Sequence, residues 1–148
     1  GLCRAGRRRP ARQMSATGYS GTPLPKKLGI VEGSRVALVG GPDHAGSLLE
    51  PLPPGARLVT RPAGADVTLF FTPSRRLLER RLVALGKAIH PDRSLWIAWP
   101  KKSSGVATDM TEDAIREVAL PLGLVDNKVC AIDDTWSGLR LVWRREHR

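Results

Sequence analysis

Three stretches of this chain are apolar through their interiors: Arg35-Val36-Ala37-Leu38-Val39-Gly40, Asp66-Val67-Thr68-Leu69-Phe70-Phe71 and Leu95-Trp96-Ile97-Ala98-Trp99. None shows the in–out alternation of a strand that faces water on one side. A strand covered on both faces reads this way, and such strands belong to parallel sheets sandwiched between helices. Between the second and third stretch, Leu78, Leu82, Leu85 and Ile89 fall on one helical face. Buried strands alternating with helices predict an α/β domain with a mostly parallel sheet, right-handed crossovers and helices on both faces.

Local signals place the other elements. Thr22 is positioned to cap a short helix starting at Pro23, where a missing amide donor costs nothing, and Gly29 ends it. Glu32-Gly33 reads as a turn, Asp43 to Glu50 as a short helix, and Arg57-Leu58-Val59-Thr60 as a short strand. Ser74 is a candidate cap for the long helix. A further helix is expected from Thr111 to Leu120, capped by Asp109 or by Thr111, before Gly123 breaks it. Leu124 to Ile132 and Trp136 to Trp143, around Asp133-Asp134, read as a C-terminal antiparallel hairpin. Residues 18–143 thus form one domain, followed at 144–148 by a polar tail expected to fray.

Composition narrows the function classes. The chain has 148 residues, 41% of them hydrophobic and 26% charged, which suits one globular domain. No apolar run nears the ~20 residues of a membrane span. The formal charge is +10, but Arg4, Arg7, Arg8, Arg9 and Arg12 supply five of those charges within the first 13 residues, without an acid. Residues 1–17 are expected to be a disordered basic arm. Met14-Ser15-Ala16-Thr17 makes an ordinary translational start, so residues 1–13 read as an over-extended one. The sharper alternative is an arm for nucleic acid or an acidic membrane surface. Without the arm the domain is only mildly basic, which disfavours nucleic acid. No signal-peptide core follows the arm. Cys3 and Cys130 are the only cysteines, too few for a disulfide framework and wrongly spaced for zinc. A cytoplasmic setting follows.

The candidate site comes from Pro100-Lys101-Lys102-Ser103-Ser104-Gly105, where a buried strand delivers cations and hydroxyls to a loop. Ligands of α/β proteins bind at the carboxyl ends of strands. In a parallel sheet, Gly40, Gly41, Asp43 and His44, the turn leading to Arg75, and Lys101, Lys102, Ser103 and Ser104 all emerge at that edge. Such a lining suits phosphate or carboxylate. The bland alternative is a solvated loop that keeps the sheet end soluble. Trp96 and Trp99, at odd spacing, belong to opposite faces and read as core, as do Trp136 and Trp143.

Two resemblances bear on this reading. The closing hairpin and the His90-Pro91-Asp92-Arg93-Ser94-Leu95-Trp96 junction are similar to the end of a class I methyltransferase fold, over residues 33 to 143 and with an abbreviated first half. More specifically, Gly18-Tyr19-Ser20-Gly21-Thr22-Pro23-Leu24, Ala98-Trp99-Pro100-Lys101-Lys102, Gly123-Leu124-Val125-Asp126, Lys128-Val129-Cys130-Ala131-Ile132-Asp133 and Trp136-Ser137-Gly138-Leu139 resemble an actinobacterial domain-of-unknown-function family of small cytoplasmic proteins. The second resemblance implies no activity. The first implies a cofactor pocket, and three departures speak against one. The loop Gly40-Gly41-Pro42-Asp43-His44-Ala45-Gly46 does not fit G-x-G-x-x-G and loses a donor at Pro42. Thr60 and Arg61 stand where an acidic residue holds ribose hydroxyls. Thr72-Pro73-Ser74-Arg75 replaces the Asp/Asn-Pro-Pro-aromatic word.

Other chemistries find little support. His44 beside Asp43 is a candidate base, yet sequence neighbours need not face each other. His90 and His147 lie before a proline and near the chain end, and three scattered histidines make no metal site. No G-x-S-x-G marks a serine nucleophile. The expected function is a non-catalytic, Rossmann-like module that binds an anionic small molecule or a protein partner, with no cofactor assigned. A divergent S-adenosylmethionine-dependent methyltransferase is the alternative, and a nucleic-acid accessory protein a weaker one.

Overall fold

The computed structural model describes residues 23–148. The expectations for the arm at 1–17, for Cys3 and for Thr22 as a cap lie outside the described residues. Six strands form one sheet: β1 (Arg35–Gly40), β2 (Arg57–Val59), β3 (Val67–Phe71), β4 (Ser94–Pro100), β5 (Leu124–Ala131) and β6 (Trp136–Trp143). Their order is β2-β1-β3-β4-β6-β5. The first four run parallel, with Ala37 beside Thr68 and Thr68 beside Leu95. β6 lies antiparallel to β4, with Pro100 opposite Trp136, and β5 antiparallel to β6. The mostly parallel, Rossmann-like sheet with its closing hairpin is the expected one. β5 carries an irregularity between Asp126 and Lys128, so Asn127 has no partner in the ladder.

Two cores cover the sheet. On one face, helices α3 (Arg75–Ile89) and α4 (Glu112–Ala119) pack Leu78, Leu82, Leu85, Ile89 and Ile115 onto Phe70, Leu95, Ile97 and Trp99. On the other, the single turns α1 (Leu24–Lys27) and α2 (Ala45–Leu48), with the segments around them, cover Val36, Leu69, Phe71 and Trp96. Trp96 and Trp99 do fall on opposite faces. The buried Trp96 ring donates its Nε1–H to the Leu28 carbonyl at 3.0 Å, fastening the segment after α1 to the middle of the sheet.

Helix ends follow their caps. Ser74 Oγ accepts the Leu77 amide and Thr111 Oγ1 the Ala114 amide, each filling a donor vacancy of the first turn. α1 starts at Leu24 instead of Pro23. Pro23 has an extended ψ of 144°, and its carbonyl accepts the first helical bond from Lys27, as a cap residue's does. α2 is half the expected length. Gly46 weakens it, and Glu50 precedes Pro51, a position averse to helical geometry.

Residues 144–148 make contacts within the chain. They form a short turn over Arg145–His147, the His147 carbonyl lies 2.7 Å from His90 Nε2, and Arg148 Nε donates to the Trp143 carbonyl. Trp143 in turn donates Nε1–H to the Gly86 carbonyl at 2.8 Å. Among the described residues, no helix is long and apolar enough to cross a membrane.

Thr68 Oγ1 and Arg140 Nε are buried without a hydrogen-bond partner. Arg140 is only half-buried and lines a groove of about 510 Å³ at the amino ends of the strands. Thr68 is fully buried and has no such outlet. An orphaned buried hydroxyl costs about 1–3 kcal/mol. Thr68→Val, which keeps the shape and removes the hydroxyl, should therefore stabilise the protein by about 1 kcal/mol. The check is a higher urea midpoint with unchanged slope; a lower midpoint would mean that the hydroxyl is bonded after all.

Candidate functional site

β1 has β2 on one side and β3 on the other, so the chain leaves it in opposite directions at the β1/β3 boundary. Ligands of open α/β sheets bind at such a switch point, outside the carboxyl ends of the strands. Four segments meet there: residues 40–44 after β1, 72–74 after β3, 101–104 after β4, and the β5–β6 turn at 132–135. The last arrives because β6 runs against β4.

The glycine turn after β1 is fitted to the protein's own chain. Gly40 (φ +67°) stands so close to β3 that a Cβ would lie 2.8 Å from the Phe71 carbonyl oxygen. At Gly41 (φ +93°) a Cβ would come within 2.7 Å of the Phe71 ring. Phe71 is buried, and Trp136 meets it edge-on with ring centres 5.2 Å apart. In a dinucleotide-binding loop, glycines let backbone approach a ligand. Here they make room for Phe71.

His44 finds an acid, though not Asp43. Its Nε2 lies 3.8 Å from Asp133 Oδ2, at the tip of the closing hairpin. The other Asp133 oxygen accepts the amides of Thr135 (2.9 Å) and Trp136 (2.7 Å), which fixes the carboxylate. The Thr135 carbonyl accepts the Lys101 amide at 2.7 Å, tying the β4 loop to the same turn. The His44 side chain is 58% exposed, so this is a surface pair of small energetic weight. Asp133 was legible only as a turn residue. Its arrival at this edge depends on β6 running antiparallel to β4.

The remaining candidates divide. Lys101 is half-buried, Lys102 and Ser103 are exposed, and no side-chain partner faces any of the three or Asp43 among the described residues. Ser104 is engaged locally: its hydroxyl donates to the Lys101 carbonyl at 2.6 Å and accepts the Val106 amide. Arg75 holds α3 to α4, donating to Glu117 at 2.7 Å and to Glu79 at 3.4 Å, while Asp109 accepts its amide. The Glu117 hydrogen bond holds its guanidinium pKa above the ordinary value, against an opposing effect of burial. Asp109 thus serves Arg75 and leaves the capping of α4 to Thr111. Arg116 makes a similar clamp, reaching Glu112, Asp113 and Asp126 to join α4 to β5. Burial pushes the Cys130 thiol pKa up, which makes it a poor nucleophile. Among the described residues, no group of three or more His, Cys, Asp or Glu is placed to hold a metal ion.

No family profile and no curated protein matches the chain in sequence. Solved structures match in fold. A candidate type 11 methyltransferase from Sulfolobus solfataricus is 14% identical with a TM-score of 0.57, over 84% of this chain and 95% of that one. A SAM-dependent methyltransferase from Aquifex aeolicus is 13% identical with a TM-score of 0.55, over 80% and 86%. A protein of the NADB-Rossmann superfamily from Streptococcus agalactiae is 10% identical with a TM-score of 0.53, over 90% and 71%. At such identities the likeness shows a fold shared with class I methyltransferases and other Rossmann-like proteins.

The packing of the glycine turn is testable by contrast. Gly41→Ala places a methyl in the Phe71 ring at a positive φ and should cost about 3 kcal/mol. Gly29→Ala has a similar φ (+82°) with nothing within 4 Å, and should cost about 1 kcal/mol. Chemical melts of the two variants measure the difference; equal losses would show that Phe71 yields freely.

Proposed function

We propose that this chain is a non-catalytic Rossmann-like module that binds an anionic small molecule at the carboxyl edge of its sheet, through Lys101, Lys102, Ser103 and His44. The observation that carries this reading is the glycine turn packed against Phe71. Close backbone approach, the usual device for holding a nucleotide cofactor, is occupied by the Phe71 ring and braced by Trp136. The rim above it still offers two lysines without acidic partners and an imidazole. A charged protein segment is the other occupant such a rim accepts. Thr60 and Arg61 after β2 add a second reason against an adenosyl cofactor, since neither accepts a ribose hydroxyl pair as a carboxylate does. The resemblance of these sequence words to an actinobacterial family of small proteins is what supports a cytoplasmic setting in this reading.

A divergent S-adenosylmethionine-dependent methyltransferase is the second reading. It is favoured by the two structural neighbours from Sulfolobus solfataricus and Aquifex aeolicus, which are described as methyltransferases, and by the shared sheet. A calorimetric titration separates the two. Binding of S-adenosylmethionine should be no tighter than about millimolar, or some 4 kcal/mol. Micromolar binding would put the methyltransferase first.

The lysines should act on binding and not on folding. Replacing Lys101 and Lys102 together by alanine should change stability by no more than ~0.5 kcal/mol, since neither side chain has a partner to lose. Trp99→Ala, in the core beside Ile97 and Met110, should cost about 3–5 kcal/mol. In a titration with citrate, the double variant should bind about tenfold more weakly than the parent, because charge-assisted hydrogen bonds are lost. Unchanged citrate binding, or a melt resembling that of Trp99→Ala, removes the lysines from any site.

A further inference from the structure

We propose a second anion site, apart from the Lys101–Ser104 loop, in which Arg35, Arg57 and Arg61 hold the phosphate groups of a small phosphorylated molecule. Its origin is the shortest crossover of the fold. β2 and β3 flank β1, yet only residues 60–66 join them, so a bare loop crosses where a helix would otherwise lie. Val39 packs with the α3/α4 core, and Arg35, four residues earlier in the same strand, shares that side. Arg57 is in register with Arg35, so it shares the side too. The loop passes over both and closes a concavity of about 370 Å³, completed by Val59, Thr60 and Gly64.

The charge arrangement in this concavity is costly without a ligand. Arg35 and Arg57 stand opposite each other on adjacent strands, about 4.8 Å apart at the backbone, and like charges so placed repel. No carboxylate lies within 4.0 Å of Arg35, Arg57 or Arg61 among the described residues. Residues 1–22 contain no Asp or Glu that might supply one. Asp66, five residues after Arg61, spends Oδ2 on the Arg35 backbone amide at 2.9 Å. The Arg35 guanidinium lies alongside Gly64, where a Cβ would stand 3.9 Å from Nη1, so the loop stays low over it.

Three guanidiniums and the Thr60 hydroxyl provide many donors and no fixed acceptor of negative sign. A planar carboxylate satisfies one guanidinium fork. A phosphate presents three or four oxygens and up to two charges, and joined phosphates extend that over several forks. The volume lies at the lower end of the range of small-molecule pockets, which favours a pyrophosphate-bearing ligand over a polymer.

The test uses the full chain at low salt without divalent cations, with inorganic pyrophosphate as the probe and a single-stranded oligonucleotide as the second arm. Pyrophosphate should raise the melting temperature of the parent protein and bind about tenfold more weakly to Arg57→Gln and to Arg61→Gln. Without pyrophosphate, Arg57→Gln should melt no lower than the parent, because one of two opposed charges is gone. The Lys101→Ala, Lys102→Ala double variant should keep the pyrophosphate response, so loss of the carboxyl-edge site and loss of this one are told apart. Three results would overturn the proposal: a pyrophosphate response unchanged in both arginine variants, an Arg57→Gln protein that melts below the parent, or arginine-dependent binding of the oligonucleotide alone.

Discussion

β4 is the strand on which the rest of the molecule depends. All seven residues from Ser94 to Pro100 are buried, with α3 and α4 on one side and the α1 segment on the other. Among the described residues it is also the only strand with a parallel neighbour on one edge and an antiparallel one on the other. Desolvating both faces at once requires that Leu95, Ile97 and Trp99 supply one core and Trp96 and Ala98 the second. The direction of β6 against it then decides what reaches the carboxyl edge. Had β6 run parallel, Asp133 and Trp136 would lie at the opposite end of the sheet, and the glycine turn would have no aromatic brace.

Much of this was legible because burial on both faces leaves a mark that no other constraint imitates. The runs holding Val36, Leu69 and Ile97 became β1, β3 and β4 within a residue of their expected ends. Ser74 and Thr111 were readable as caps because a cap is a contact over three residues. The candidate site was less legible, for the same reason turned around. His44 meets Asp133 across 89 positions of sequence, and Arg75 meets Glu117 across 42. Nothing local in either residue announces its partner. The ring contact of His147 with Trp143 was likewise invisible in a run of polar residues.

The glycine pair after β1 shows how one residue type carries opposite meanings. A glycine that lets a cofactor approach and one that admits a neighbouring ring obey the same steric rule, and they differ only in what fills the space. In this molecule the space holds Phe71. A fold shared with methyltransferases thus has, in this chain, a switch point whose glycines serve internal packing.

The irregularity in β5 has a consequence for how this protein meets its own copies. An open sheet presents unpaired amides and carbonyls at each edge, an invitation to grow by adding strands. Here one edge is β2, three residues long, beginning with Arg57 and followed by Arg61. The other is β5, where the extra residue at Asn127 breaks the hydrogen-bonding rhythm and Lys128 reaches back to the Lys27 carbonyl. A visiting strand would find too short a template on one side and a broken, charged one on the other. Growth of the sheet by strand addition is therefore disfavoured at both edges.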